Sequence, residues 1–205
     1  MDGLLLDSER LAKDAFFTAC REFGLQPEPA GYEGCIGATG EATEGILRDA
    51  YGPDFPYPQV RDRWAALYEQ WVLHRPVPVK PGALELLQRF AQLRVPCALA
   101  TSTGRKITLA KLRHARLDGC FPHLVCGGET PRGKPYPDPY IEATASLGAA
   151  PEHCWALEDS NTGVRAAHAA GLRVFQVPDQ VAPSAEVAAL GHIIVGSLFE
   201  VLQQL

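Results

Sequence analysis

From residue 83 onward, short apolar runs alternate with longer amphipathic segments, and this alternation constrains the fold more than any other feature of the chain. Runs at 96–100, 123–126, 154–157, 173–177 and 192–195 suit buried strands, and the segments 83–93, 105–115, 139–147, 162–170 and 197–205 suit helices. A strand followed by a helix and another strand favours parallel pairing, because a parallel partner needs a crossover and the crossover helices cover the sheet's faces. The expectation is an α/β core with a parallel sheet. Sites in such sheets lie beyond the carboxyl ends of the strands, so the residues that follow each run are the place to look for chemistry.

The preceding part reads differently. Segments 9–23, 41–51 and 58–74 carry a helical period, and Val60, Trp64, Leu67, Trp71 and Val72 share one face of the third. Asp7 or Ser8 can cap the first helix, with Gly24 and Gly52 as stops. The aromatic residues here are expected in a helix-bundle core. The change of pattern falls at Arg75-Pro-Val-Pro-Val-Lys-Pro-Gly82, an extended linker.

Composition excludes several classes. A net charge of −5 argues against nucleic acid, which attracts basic surfaces. The six cysteines form no C-x-x-C pair, and most lie in apolar runs, so buried, reduced thiols and a cytoplasmic location are expected. The histidines show no spacing that suits zinc. The start is acidic where a signal peptide would be basic, and no apolar stretch approaches a membrane span, so no membrane partner is expected.

Four places carry candidate chemistry. The run 96–100 leads into Thr101-Ser102-Thr103-Gly104, whose hydroxyls and N–H groups open a helix and favour an anion, although serine and threonine also serve as ordinary caps. The run 154–157 leads into Glu158-Asp159-Ser160-Asn161. Adjacent carboxylates after an apolar run are costly without a cation, and hard oxygen ligands suit Mg²⁺. Lys134 lies between them in Gly133-Lys-Pro-Tyr-Pro-Asp-Pro139, on a stiff loop from which an ammonium can neutralise a phosphoryl group. Taken alone it also reads as a solvated loop lysine. Met1-Asp2-Gly3 stands directly before an apolar trio and Asp7-Ser8-Glu9.

In order and spacing, these four pieces resemble the haloacid dehalogenase superfamily, in its branch with an inserted helical cap and in the style of β-phosphoglucomutase and small sugar-phosphate phosphatases. The resemblance covers the whole chain. It implies a Rossmann-like parallel-sheet core formed by 1–7 and 80–205, with an all-helical cap over 8–79. It implies a monomeric, Mg²⁺-dependent phosphohydrolase of a small phosphorylated metabolite. Asp2 is implied as general acid and base, lending its backbone carbonyl to the metal. Thr101 and Lys134 would hold the transferring oxygens, and Ser102 would give its N–H. Asp159 would bind Mg²⁺, with Glu158 in or beside its shell, and the Lys134–Pro135 peptide would be cis.

One departure stands out. The family reads Asp-Met-Asp-Gly, and its first Asp is the nucleophile that forms an aspartyl-phosphate. That Asp, and the strand that leads to it, would sit immediately before Met1. A misplaced start or a truncated chain competes with a degenerate relative. Energetics favour the former. A buried central strand contributes several hydrogen bonds of roughly 0.5–1.5 kcal/mol each and side-chain burial of roughly 1.5–3 kcal/mol each, against about 5–15 kcal/mol for a whole domain. Three functions stay open: a phosphatase, a β-phosphoglucomutase-type phosphotransferase, and a catalytically inactive relative that binds Mg²⁺ and phosphate. A mutase needs a basic cap residue, and Gly40 stands near where one is expected, which leans toward the phosphatase.

Overall fold

Glycine and proline punctuation divides the helical part into four helices. The structure, a computed structural model, describes residues 1–36 and 40–205, with the backbone alone at 40 and 41. Gly37 lies outside the described residues, as does anything beyond backbone at Gly40. The chain forms two compact units, Ser8–Arg75 and Met1–Asp7 with Pro76–Leu205. No described helix is long and apolar enough to cross a membrane.

The first unit holds α1 (Glu9–Glu22), α2 (Pro29–Cys35), α3 (Gly40–Tyr51) and α4 (Tyr57–His74). Phe16, Ala19, Cys20 and Val60 are fully buried at its centre. Phe16 meets Trp64 edge-on at 5.1 Å, and the indole N–H donates to the Ala12 carbonyl at 2.9 Å, so this tryptophan ties α4 to α1. Helix α2 was not foreseen. It has seven residues, two of them glycine, so it carries no periodic signal, and its start relies on Pro29 in the first turn.

The second unit alternates as expected: α5 (Ala83–Gln92), β1 (Ala98–Ala100), α6 (Arg105–His114), β2 (His123–Val125), α7 (Asp138–Ser146), β3 (Trp155–Glu158), α8 (Asn161–Ala169), β4 (Arg173–Gln176), α9 (Ala185–Ala188), β5 (Ile193–Ile194) and α10 (Leu198–Leu202). β1 begins two residues after Pro96, which has no N–H to give a ladder. β1 pairs in parallel with β2, and β3–β4–β5 form a second parallel sheet. Among the described residues no strand joins β1 to β3. Residues 1–6 make a tight turn in which the N–H groups of Leu5 and Leu6 both donate to the Met1 carbonyl, at 2.9 and 3.1 Å.

The cysteines need one correction. All six are free, but Cys97, Cys120 and Cys154 are only half-buried: Cys97 and Cys154 stand just ahead of β1 and β3, and Cys120 lies in the loop before β2.

Candidate active site

Helix α8 starts where β3 stops, and its cap builds part of the site. The Ser160 hydroxyl accepts from the Gly163 N–H at 3.1 Å and donates to Glu158 Oε2 at 3.2 Å. A Cβ at position 163 would lie 2.0 Å from that same oxygen, so glycine is needed to leave room for the carboxylate. Glu158 also accepts from Lys134 Nζ at 2.5 Å and from the Tyr140 hydroxyl. Burial would raise its pKa, but the Lys134 ammonium, the Met1 amino group and the hydrogen bonds from Lys134 and Tyr140 outweigh burial and hold the carboxyl below its ordinary value.

Lys134 projects inward from its proline loop. The Lys134–Pro135 peptide is cis, and the Lys134 ammonium also donates to the Ala100 carbonyl at 3.1 Å. The lysine therefore links the carboxyl ends of β1 and β3. Beyond β1, Thr101 is buried and its hydroxyl accepts from the Thr103 N–H at 3.2 Å, whereas Ser102 is exposed.

Asp2 faces other partners. Its carboxylate accepts from Thr103 Oγ1 at 2.8 Å and from Lys111 Nζ at 2.6 Å. Neither residue was singled out from the sequence. Lys111 lies in a helix rich in Lys and Arg, where a lysine reads as solvated. The signal that could have found it is its place on one stripe with Thr108 and Leu112, all three buried on α6.

Asp159 sits across Gly3. A Cβ on Gly3 would meet Asp159 Oδ2 at 2.4 Å and Asp179 Oδ2 at 3.2 Å, so the two carboxylates converge on this glycine, which holds φ +73°. Lys80 pairs with Asp179. Asp159 pairs with no cation among the described residues. Burial and then the neighbouring Glu158 push its carboxyl up to about 6. A half-buried carboxylate with hard oxygens, whose raised value the Met1 amino group and Lys134 only partly offset, fits a Mg²⁺ ligand. Glu158, engaged on both oxygens, is the less available of the two.

The predicted residues thus all lie in one unit at the carboxyl edge of its strands. Lys134 and Glu158 are in direct contact, Asp159 packs against Gly3, the residue after Asp2, and Thr101 lies one residue beyond the carbonyl that Lys134 holds.

A family model of haloacid dehalogenase-like hydrolases matches residues 1–177. The chain belongs to this family. It is 35% identical over 190 residues to a "Probable pseudouridine-5'-phosphatase" of Drosophila melanogaster, covering 87% of this chain and 79% of that one. It is 29% identical over 180 residues to a "Phosphorylated carbohydrates phosphatase" of Thermotoga maritima, covering 86% and 82%. A solved haloacid dehalogenase family hydrolase from Deinococcus radiodurans R1, with bound phosphate and sodium, superposes with a TM-score of 0.82 at 28% identity, over 98% of this chain and 90% of that one. Within the haloacid dehalogenase-like hydrolases, this likeness to phosphatases over most of both chains gives the class as hydrolases of phosphate esters.

Proposed function

We propose that the chain is the body of a Mg²⁺-dependent phosphohydrolase that acts on a small phosphorylated metabolite, of the sugar-phosphate kind, through an aspartyl-phosphate. The observation that carries this is a buried ammonium, Lys134, paired with Glu158, next in the chain to a half-buried carboxylate, Asp159, whose value burial and Glu158 raise, at the carboxyl edge of one unit. Lys134 offsets negative charge on the phosphoryl oxygens, and Thr101 and the Ser102 N–H donate to them. Asp2 gives a proton to the leaving oxygen and takes one from water. Asp159 and the Asp2 carbonyl, with Glu158 beside them, would hold Mg²⁺, which would supply further positive charge there.

No carboxylate among these is free to be the nucleophile. Lys111 and Thr103 hold Asp2, Lys134 holds Glu158, and Asp159 is assigned to the metal. The resemblance assigns the acceptor role to the Asp that the family places just before Met-Asp-Gly, here residues 1–3. The relatives named for pseudouridine 5'-phosphate and phosphorylated carbohydrates support a phosphorylated, sugar-containing substrate. Six free thiols suit a reducing compartment, so we place the protein in the cytoplasm.

The test is hydrolysis of p-nitrophenyl phosphate. The 205-residue chain is expected at background. The same chain lengthened by an apolar segment that ends in Asp is expected to show Mg²⁺-dependent turnover, weakened by Asp159→Asn. Background rates from the lengthened protein, folded and saturated with Mg²⁺, would overturn the proposal.

A further inference from the structure

Two carboxylates pack on Gly3 from the ends of neighbouring strands. A Cβ there would meet Asp159 Oδ2 at 2.4 Å and Asp179 Oδ2 at 3.2 Å. Asp159 directly follows β3, and Asp179 lies three residues beyond β4, the parallel partner of β3. The Val177 N–H donates to the Glu158 carbonyl at 2.7 Å, so the backbone leading to Asp179 is fastened to the backbone leading to Asp159.

Asp179 is held from one side. Lys80 pairs with its Oδ1, and the Gln180 amide donates to the same oxygen at 3.4 Å. Oδ2, the oxygen beside Gly3, accepts from no protein group among the described residues. The Asp179 side chain is 12% exposed and that of Lys80 25%, so this is not a solvated surface bridge. Lys80 is itself fixed through its backbone. Its N–H donates to the Leu5 carbonyl at 2.9 Å, the Asp7 N–H donates to the Pro78 carbonyl at 2.8 Å, and Leu6 bridges to Val79 between them. One partner of the ion pair is therefore tied to the segment that carries Asp2 and Gly3, and the other to the strand end at Asp159.

We propose that Asp179, oriented by Lys80, is a positioning residue of the cation site: its Oδ2 would accept a hydrogen bond from a water on the Mg²⁺ that Asp159 binds, without ligating the ion itself. This rests on the reading of Asp159 as a Mg²⁺ ligand. Mg²⁺ keeps several of its waters, and their hydrogens need acceptors. A carboxylate with one oxygen engaged and the other open beside the ligand's own oxygen is such an acceptor, and groups of this kind orient what a metal holds. Lys80 contributes twice. It fixes which oxygen of Asp179 is open, and its ammonium balances a carboxylate that would otherwise repel Asp159 at close range.

The test titrates Mn²⁺ into the 205-residue chain, with Mg²⁺ as competitor. Mn²⁺ suits the same oxygen donors, and the free ion is read by its EPR signal. Thermal melts establish that each variant is folded. Asp159→Asn is expected to lose most of the affinity. Asp179→Asn and Lys80→Met are each expected to weaken binding about tenfold, within the usual range for groups that orient a metal's ligands. Lys80→Arg is expected to bind as the parent does. Lys80→Met gives the sharpest reading, because it removes a positive charge: a lysine acting through its charge alone would leave the ion bound more tightly once removed. Parent or tighter affinity in Lys80→Met would overturn the proposal, as would parent affinity in a folded Asp179→Asn protein, which would leave the pair a brace of the fold. Should Asp179→Asn not fold, Lys80→Met decides alone. Loss of Mn²⁺ in Asp159→Asn without either of these effects removes the role of Asp179 and keeps the cation site. A parent that takes up no Mn²⁺, or an Asp159→Asn protein that binds as the parent does, removes both.

Discussion

Lys134 and Glu158 form an ion pair at 2.5 Å with side chains only 9% and 5% exposed. The pair spans the two strand ends, so one contact serves both the sheet and the site. Removing one partner leaves the other charge buried and uncompensated. Lys134→Met is expected to cost about 3–5 kcal/mol, whereas the double change with Glu158→Leu is expected to cost less, because no orphan charge remains. Urea denaturation of both variants checks the order, and a double variant less stable than the single would contradict it.

Gly163 owes its identity to the Glu158 carboxylate. A methyl group there would lie 2.0–2.3 Å from the carboxylate atoms, and both residues are buried. Gly163→Ala is expected to destabilise by about 1–3 kcal/mol through overpacking. The loss should shrink when Glu158→Ala empties the space, as a double-mutant cycle in thermal melts can show.

Asp159 sets a pH dependence of definite sign. Its folded value is raised to about 6 from the ordinary 3.8. The folded state therefore holds the proton more tightly than the unfolded one, and the contribution is fully present below the unfolded value and lost as pH rises through about 6. Stability without metal should fall across this window, Asp159→Asn should abolish that fall, and Mg²⁺ at pH 7 should restore stability to the parent but not to the variant. A parent whose stability is level across the window, or a variant that gains as much from Mg²⁺, would count against the assignment.

The fold class was legible because five apolar runs alternate with helices, a pattern that needs no tertiary information. Thr101, Lys134, Glu158 and Asp159 could be singled out because they directly follow such runs or lie between them, and because their order and spacing carry the resemblance. Lys111 was not, because a lysine buried by a partner 109 residues away looks like any surface lysine along the chain. Tyr140 and Asp179 were missed for the same reason: only the folded sheet brings them to Glu158 and Gly3. Helix α9, with four residues, is too short to show a period.

The central claim is that one phosphoryl group sits between Thr101, Lys134 and a Mg²⁺ on Asp159. Titration calorimetry of inorganic phosphate into this chain, with and without Mg²⁺, tests it most directly. The account predicts that Mg²⁺ tightens phosphate binding by about tenfold or more, within the usual range of coupling between sites. It also predicts that Asp159→Asn removes this coupling while the variant stays folded, and that Thr101→Ala weakens binding with or without the metal. Phosphate affinity that is indifferent to Mg²⁺, or a coupling that survives intact in Asp159→Asn, would contradict it.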